Sequence, residues 1–156
     1  MPINYPRSKS GFFGVQRFTL QTGEWGGTNF LGGATPFTVN DTTKVHAGSP
    51  FTKSRFAGFT LTIGTTIPID ADGTLTVTAY KYDASANAEV VLSAAVQMEG
   101  QTLREAVRTV ALASATDAEL LFDEGDTLEF HVISDSGAID TAAAGVVFVG
   151  EFLALE

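Results

Sequence analysis

His46 and His131 are the only imidazoles in the 156-residue chain, which has no cysteine. The missing thiols exclude a disulfide framework, a thiolate zinc site and a cysteine nucleophile together. With two histidines, a multi-histidine metal site within one chain is hard to build. His131 falls in the alternating stretch Thr127-Leu128-Glu129-Phe130-His131-Val132, where a surface or packed histidine is the ordinary expectation. Asp70-Ala71-Asp72-Gly73 opens like a calcium-binding loop, but the later ligands and a closing glutamate are missing. Its Asp-Gly step reads instead as a hairpin turn. Glu99, Glu105, Glu119 and Glu124 offer carboxylates for acid/base work, and nothing in the sequence pairs them. Asn40-Asp41-Thr42 fits a glycosylation acceptor, which means little where no signal peptide is visible. There is no phosphate-cradling glycine loop and no Gly-x-Ser-x-Gly.

Asp135-Ser136-Gly137-Ala138 follows an apolar strand and resembles the Asp-Ser/Thr-Gly-Ala element of retroviral-type aspartic proteases. Those enzymes need two such aspartates sharing a proton, a flap, and an apolar-apolar-Gly strand well downstream. Phe148-Val149-Gly150 comes too soon after it. The stretch reads as a Ser/Gly loop between strands. No enzyme activity and no cofactor are expected.

Any site must therefore be carried by the body as a whole. The length suits one domain, and 44% hydrophobic residues argue against disorder. No apolar run approaches the roughly 18 residues of a membrane span, and the start, MPINYPRSKS, has no apolar core of a secretory signal. The expectation is a soluble, cytosol-made protein with no membrane partner. Net charge is −9, unevenly spread: residues 1–60 hold six basic and two acidic residues, whereas residues 61–156 hold three basic and sixteen acidic. The first part also holds ten of the sixteen aromatics and nine of the sixteen glycines. Two readings compete for those aromatics. They plug the chain's own core, or they belong to an arm that wraps a neighbour, its positive charge complementing an acidic body. Arg7, Lys9, Phe12, Phe13, Arg17, Phe18 and Trp25 are the candidate contacts of such an arm. Nucleic acid is not expected as a partner, because a pI of about 4.5 gives a field that repels phosphates.

The elements read mostly as strands. Phe59 to Ile63, Leu75 to Tyr80 and Thr127 to Val132 alternate apolar and polar residues. Val90 to Met98 is a further apolar segment, and Asp83 to Asn87 a small-residue turn. Thr102-Leu103-Arg104-Glu105 has capping-box form, which predicts a short helical turn leading into a strand up to residue 112. Val146 to Leu155 is apolar on both faces, which suits a strand between layers or one that meets another subunit. Val147, Val149, Phe152 and Leu153 are the candidate oligomer contacts. Many short strands with frequent turns predict an all-β, antiparallel sandwich. The boundary falls after residue 59: an extended, loop-rich N-terminal arm over 1–59 and a jelly-roll-like β domain over 60–156.

Several stretches carry a resemblance to a known family. They are Asp72-Gly73-Thr74-Leu75-Thr76-Val77, Tyr80-Lys81-Tyr82-Asp83, Val91 to Val96 with the Glu99-Gly100 turn, Leu121 to Leu128 with its Gly125-Asp126 turn, and the closing strand Val147 to Glu156. From about residue 66 onward the chain resembles the jelly-roll decoration (cement) proteins of tailed-phage capsids. The Gly-Asp turn before a strand is shared with tumour-necrosis-factor-like jelly rolls. The resemblance implies a virion structural protein on the capsid surface, with the major capsid protein as partner. It also implies a homo-oligomer, a trimer favoured, and no cofactor. A jelly-roll adhesion or carbohydrate-binding module of a fibre or tail tip is the alternative, although only four phenylalanines follow residue 82.

Overall fold

Period-two alternation places every second side chain of a strand on one face, and ten segments among the described residues pair as strands. The structure, a computed structural model, describes residues 17–21, 42–50, 52–62, 75–98, 106–112, 114–134 and 146–155. The strands there are β1 (Arg17–Gln21), β2 (Thr42–Gly48), β3 (Ser54–Thr62), β4 (Leu75–Asp83), β5 (Ala88–Val91), β6 (Val96–Met98), β7 (Ala106–Val110), β8 (Leu121–Phe122), β9 (Thr127–Ser134) and β10 (Val147–Ala154). One helical turn, α1 (Asp117–Leu120), precedes β8.

All pairings are antiparallel, and they form two sheets. The first runs β1-β10-β3-β7, with β8 also on β3; the second runs β2-β9-β4-β5, with β6 also on β4. Leaving aside the short β6 and β8, the first strand pairs with the last, the second with the next to last, β3 with β7, and β4 with β5. That nesting is one long antiparallel ribbon rolled into two facing sheets, the jelly-roll arrangement. The expected all-β antiparallel sandwich is what the chain forms.

The expected boundary after residue 59 is not where the structure divides. β1 and β2 are strands of the two sheets, and β3 runs straight through the boundary. A rolled ribbon needs its opening strands as partners for its closing ones, so β1 and β2 belong to the same body as β9 and β10. The strand predicted up to residue 112 is β7, and the helical turn predicted before it lies outside the described residues.

The sheets close over aromatic and branched side chains. Val45, Phe56, Phe59, Leu61, Val77, Leu92, Phe130 and Phe148 are fully buried. Phe130 of the second sheet stacks on Phe148 of the first at 5.0 Å and meets Phe59 edge-on at 5.3 Å. Phe152 collects three rings: Phe18 at 5.3 Å, Phe56 at 5.7 Å and Phe122 at 5.1 Å. For these phenylalanines, the reading in which the aromatics plug the chain's own core is the one realised.

β3 carries a bulge. Glu151 of β10 lies opposite Gly58, and the next residue, Phe152, lies opposite Phe56, so Ala57 is the extra residue. The insertion shifts the alternation, so that Phe56 and Phe59 both point inward. Gly58 has φ of 151°, and a Cβ there would lie 2.4 Å from the carbonyl oxygen of Thr109 on β7.

α1 shows where a capping box does form. Thr116 Oγ1 accepts a hydrogen bond from the Glu119 N–H at 3.2 Å, and Glu119 Oε2 accepts one from the Thr116 N–H at 2.5 Å. The Thr116 backbone donor, and after it the Thr116 hydroxyl, holds the Glu119 carboxyl below its ordinary range. Thr116→Ala is expected to cost about 1 kcal/mol, read by urea denaturation at pH 7. A depressed carboxyl stabilises the fold above its unfolded-state pKa and loses that contribution as pH falls through the folded one. The difference between parent and variant should therefore shrink on acidification. At the other end of α1, the buried Lys81 donates its ammonium to the carbonyls of Leu121 at 2.9 Å and Ala118 at 3.4 Å.

Candidate functional site

The second sheet places its polar chemistry on one face. On β2, Lys44 and His46 flank the inward Val45; on β9, Glu129 and His131 flank the inward Phe130. The antiparallel register sets Lys44 opposite His131 and His46 opposite Glu129. On the other side of β9, β4 sets Tyr80 opposite Glu129 and Thr78 opposite His131. Glu89 comes from β5, where it lies opposite Tyr82 of β4. Four strands thus bring both histidines, two glutamates, a lysine and a tyrosine to the sheet's outer face.

Their contacts form a continuous chain. His46 Nδ1 lies 3.2 Å from Glu129 Oε1. The other oxygen of Glu129 lies 3.4 Å from His131 Nε2, and that same nitrogen lies 3.8 Å from Glu89 Oε1. Lys44 pairs with Glu89. The Tyr80 ring stacks on the His131 ring at 3.8 Å and 14°, which restricts how the imidazole can turn. Its hydrogen bond to the Lys44 ammonium holds the Glu89 carboxyl below its usual range, and the same bond raises Lys44. Glu129 and His131 are buried although they face away from the core. Oxygen and nitrogen atoms of Glu89, Glu129 and His131 all lie within 4.8 Å of one another, a set that could hold a metal ion.

His131 was expected to be a surface or packed residue, and a multi-histidine metal site was expected to be hard to build; His131 is buried on β9. Both imidazoles reach one carboxylate, that of Glu129, and the candidate metal set includes only one of them, His131. The traces in the sequence are the two triplets Lys44-Val45-His46 and Glu129-Phe130-His131, each polar on one face. Nothing in either triplet says that β2 and β9 are neighbours.

The first sheet presents a different outer face. Arg108 of β7 grips Glu151 of β10 with two hydrogen bonds, Nε to Oε1 at 3.1 Å and Nη2 to Oε2 at 2.7 Å. Thr60 Oγ1 donates to the same carboxylate at 3.2 Å. These donors, Arg108 foremost, hold Glu151 below its ordinary range, and Arg17 adds a weaker attraction. A depression of about 300 Å³ lies here, between Arg17, Thr19, Ala57, Glu151 and Leu153.

The residues expected at interfaces divide as follows. Arg7, Lys9, Phe12, Phe13 and Trp25 lie outside the described residues. Arg17 is exposed on β1, at the sheet edge. Phe18 turns inward and stacks on Phe152, so it fastens β1 to the core. Phe152 is likewise core rather than an oligomer contact, because it shares the inward parity of Phe148. Val147, Val149 and Leu153 alternate with them on the outer face, half-buried. Of the chemistry candidates, Glu119 is the capping residue of α1 and Glu124 is exposed in the turn before β9. Asp70 to Gly73, Glu99, Glu105 and Asp135 to Ala138 lie outside the described residues. No helix among the described residues is long and apolar enough to cross a membrane. No family model, curated protein or solved structure matches the chain.

Proposed function

We propose that the chain is a decoration protein, a structural component that binds the outside of a tailed-phage capsid and stabilises it. One observation carries this reading. The basic, aromatic segment enters the body through β1, an edge strand antiparallel to β10, with Phe18 pinned on Phe152 and Arg17 exposed beside Leu153. A tether fixed at a sheet edge can reach a neighbour without disturbing the sandwich that holds it. The outer face of β10 supports the rest of the reading. Val147, Val149 and Leu153 stand half-buried there on either side of the Glu151–Arg108 pair, a mixed surface suited to contact between copies, and the resemblance favours a trimer.

The major capsid protein is the proposed partner, and the capsid surface the proposed location. Binding then depends on shape and charge: sixteen acidic residues after residue 60 keep free oligomers apart in solution, and the basic segment supplies attraction to an acidic seam. The test is sedimentation of the purified chain with shells of the cognate major capsid protein that lack it. The full chain is expected to co-sediment. Deletion of residues 1–14, which ends before β1, is expected to leave the melting temperature unchanged and weaken shell binding at least about tenfold, the loss of roughly one anchoring aromatic. Absence of shell binding together with capture on a glycan panel would replace this reading with an adhesion module.

A further inference from the structure

The proposed capsid attachment does not call on the cluster on the outer face of the second sheet, and the geometry of that cluster has a use of its own. We propose that Glu89, Glu129 and His131 bind a divalent transition-metal ion of the zinc type, with His46 orienting Glu129.

Two carboxylate oxygens face the one nitrogen His131 Nε2, Glu129 Oε2 at 3.4 Å and Glu89 Oε1 at 3.8 Å. A single N–H can point at only one of them, and both distances exceed the usual 2.7–3.2 Å of a hydrogen bond. The shorter of them matches another spacing, and the longer, to the exposed Glu89, exceeds it. Ligand atoms about 2.0–2.1 Å from a tetrahedral zinc ion stand roughly 3.3–3.4 Å apart. The third edge, between the two carboxylates, is within 4.8 Å. Closing it requires movement of Glu89 alone, which sits on β5 and whose side chain is 33% exposed. The other two ligands are set on one rigid strand at positions i and i+2, with side chains only 6% and 10% exposed.

The surroundings have the features of a metal site's supporting shell. His46 Nδ1 at 3.2 Å fixes the distal oxygen of Glu129, and Tyr80 stacked at 3.8 Å fixes the plane of the His131 ring. Such outer partners orient ligands. A mixed set of one imidazole and two carboxylates suits a borderline cation better than calcium or magnesium, which prefer oxygen alone. Lys44 is the competitor. Its ammonium now neutralises Glu89, and the ion would displace it into solvent, which its exposed position permits. Binding needs a neutral imidazole and ionised carboxylates, so it weakens on acidification.

Isothermal titration of the tag-free full chain with zinc chloride at pH 7.5 tests the site, with magnesium and calcium chloride as controls and cobalt(II) absorption as a second readout. The expected result is one zinc ion per chain, a tetrahedral cobalt spectrum, and no heat from magnesium or calcium. His131→Gln and Glu89→Gln are each expected to lower zinc affinity at least about tenfold, and His46→Ala about tenfold through Glu129. Glu89 lies on an exposed strand edge, so its variant keeps the fold even if His131→Gln does not, and far-ultraviolet circular dichroism checks both. Lys44→Gln removes the competitor and is expected to bind zinc at least as tightly as the parent. Absence of zinc uptake overturns the assignment. So does uptake that Glu89→Gln leaves unchanged, or that Lys44→Gln abolishes. Loss of shell binding in the capsid assay leaves these outcomes untouched, because the two faces belong to different sheets.

Discussion

Phe152→Ala is expected to destabilise the protein by about 3–5 kcal/mol, the upper range for removing a buried aromatic ring. Phe152 is 1% exposed and is the common neighbour of Phe18, Phe56 and Phe122. Its loss opens a cavity against three rings from three different strands, and those strands cannot all close on it. The Phe18 ring stacks on Phe152 with only 11° between planes, so the variant also loosens β1 from β10. Equilibrium urea unfolding of parent and variant measures the cost. Leu153→Ser is the companion, because Leu153 is the next residue on β10 and faces the other way. It should cost under about 1 kcal/mol, as for a substitution away from the core. Equal losses in the two variants would mean that the inward and outward faces of β10 have been assigned wrongly.

Gly58→Ala is expected to cost about 2–4 kcal/mol, much for a single methyl group. The added carbon would lie 2.4 Å from the Thr109 carbonyl oxygen and 3.0 Å from the Val110 Cα. Both are backbone atoms of β7, so no rotamer change relieves the clash. The φ of 151° adds strain of about 1–3 kcal/mol for a residue with a side chain. The nearby hydrogen bond from the Ala111 N–H to the Ala57 carbonyl, 3.1 Å long, is placed to lengthen as β7 withdraws, at about 0.5–1.5 kcal/mol. Hydrogen exchange is the sharper measurement: amides of β7 should lose protection before those of β4 and β9, which belong to the other sheet. Uniform loss across both sheets would show that the bulge is not a local weak point.

Much of this fold was legible. β4 and β9 follow from alternation and β10 from its apolar run, and the Gly125-Asp126 turn before β9 stands where the sequence placed it, with the Asp126 carboxylate accepting the N–H groups of Ala84 and Asp123 at 3.0 Å each. β2 escaped because Thr42-Thr43-Lys44-Val45-His46-Ala47-Gly48 offers a single large apolar side chain, Val45. It is a strand because β9 pairs with it, a long-range fact that local pattern does not contain. The capping box illustrates the reverse problem. Thr102-x-x-Glu105 and Thr116-x-x-Glu119 have the same form, and the described helix begins at the second. The outer-face cluster was the least legible part. Its six residues come from four strands and meet only once the ribbon is rolled, so no spacing along the chain encodes them.

The nested pairing has a consequence for how the molecule reaches its native state. β10 stands between β1 and β3 in the first sheet, so residues 17–21 and 54–62 cannot be joined until residues 147–154 arrive. The β4–β5 hairpin, closed by a four-residue turn with Asn87 at φ of 51°, can form on its own within about 1–10 µs. Closing the first sheet instead must wait for contacts between distant parts of the chain, which places folding in the slow, millisecond-to-second class. During that interval Phe56, Phe59 and Leu61 line an open strand edge, the kind of surface that pairs with another chain when its own partner is late. Yield on refolding should therefore fall with protein concentration even though the finished sandwich buries every one of those side chains.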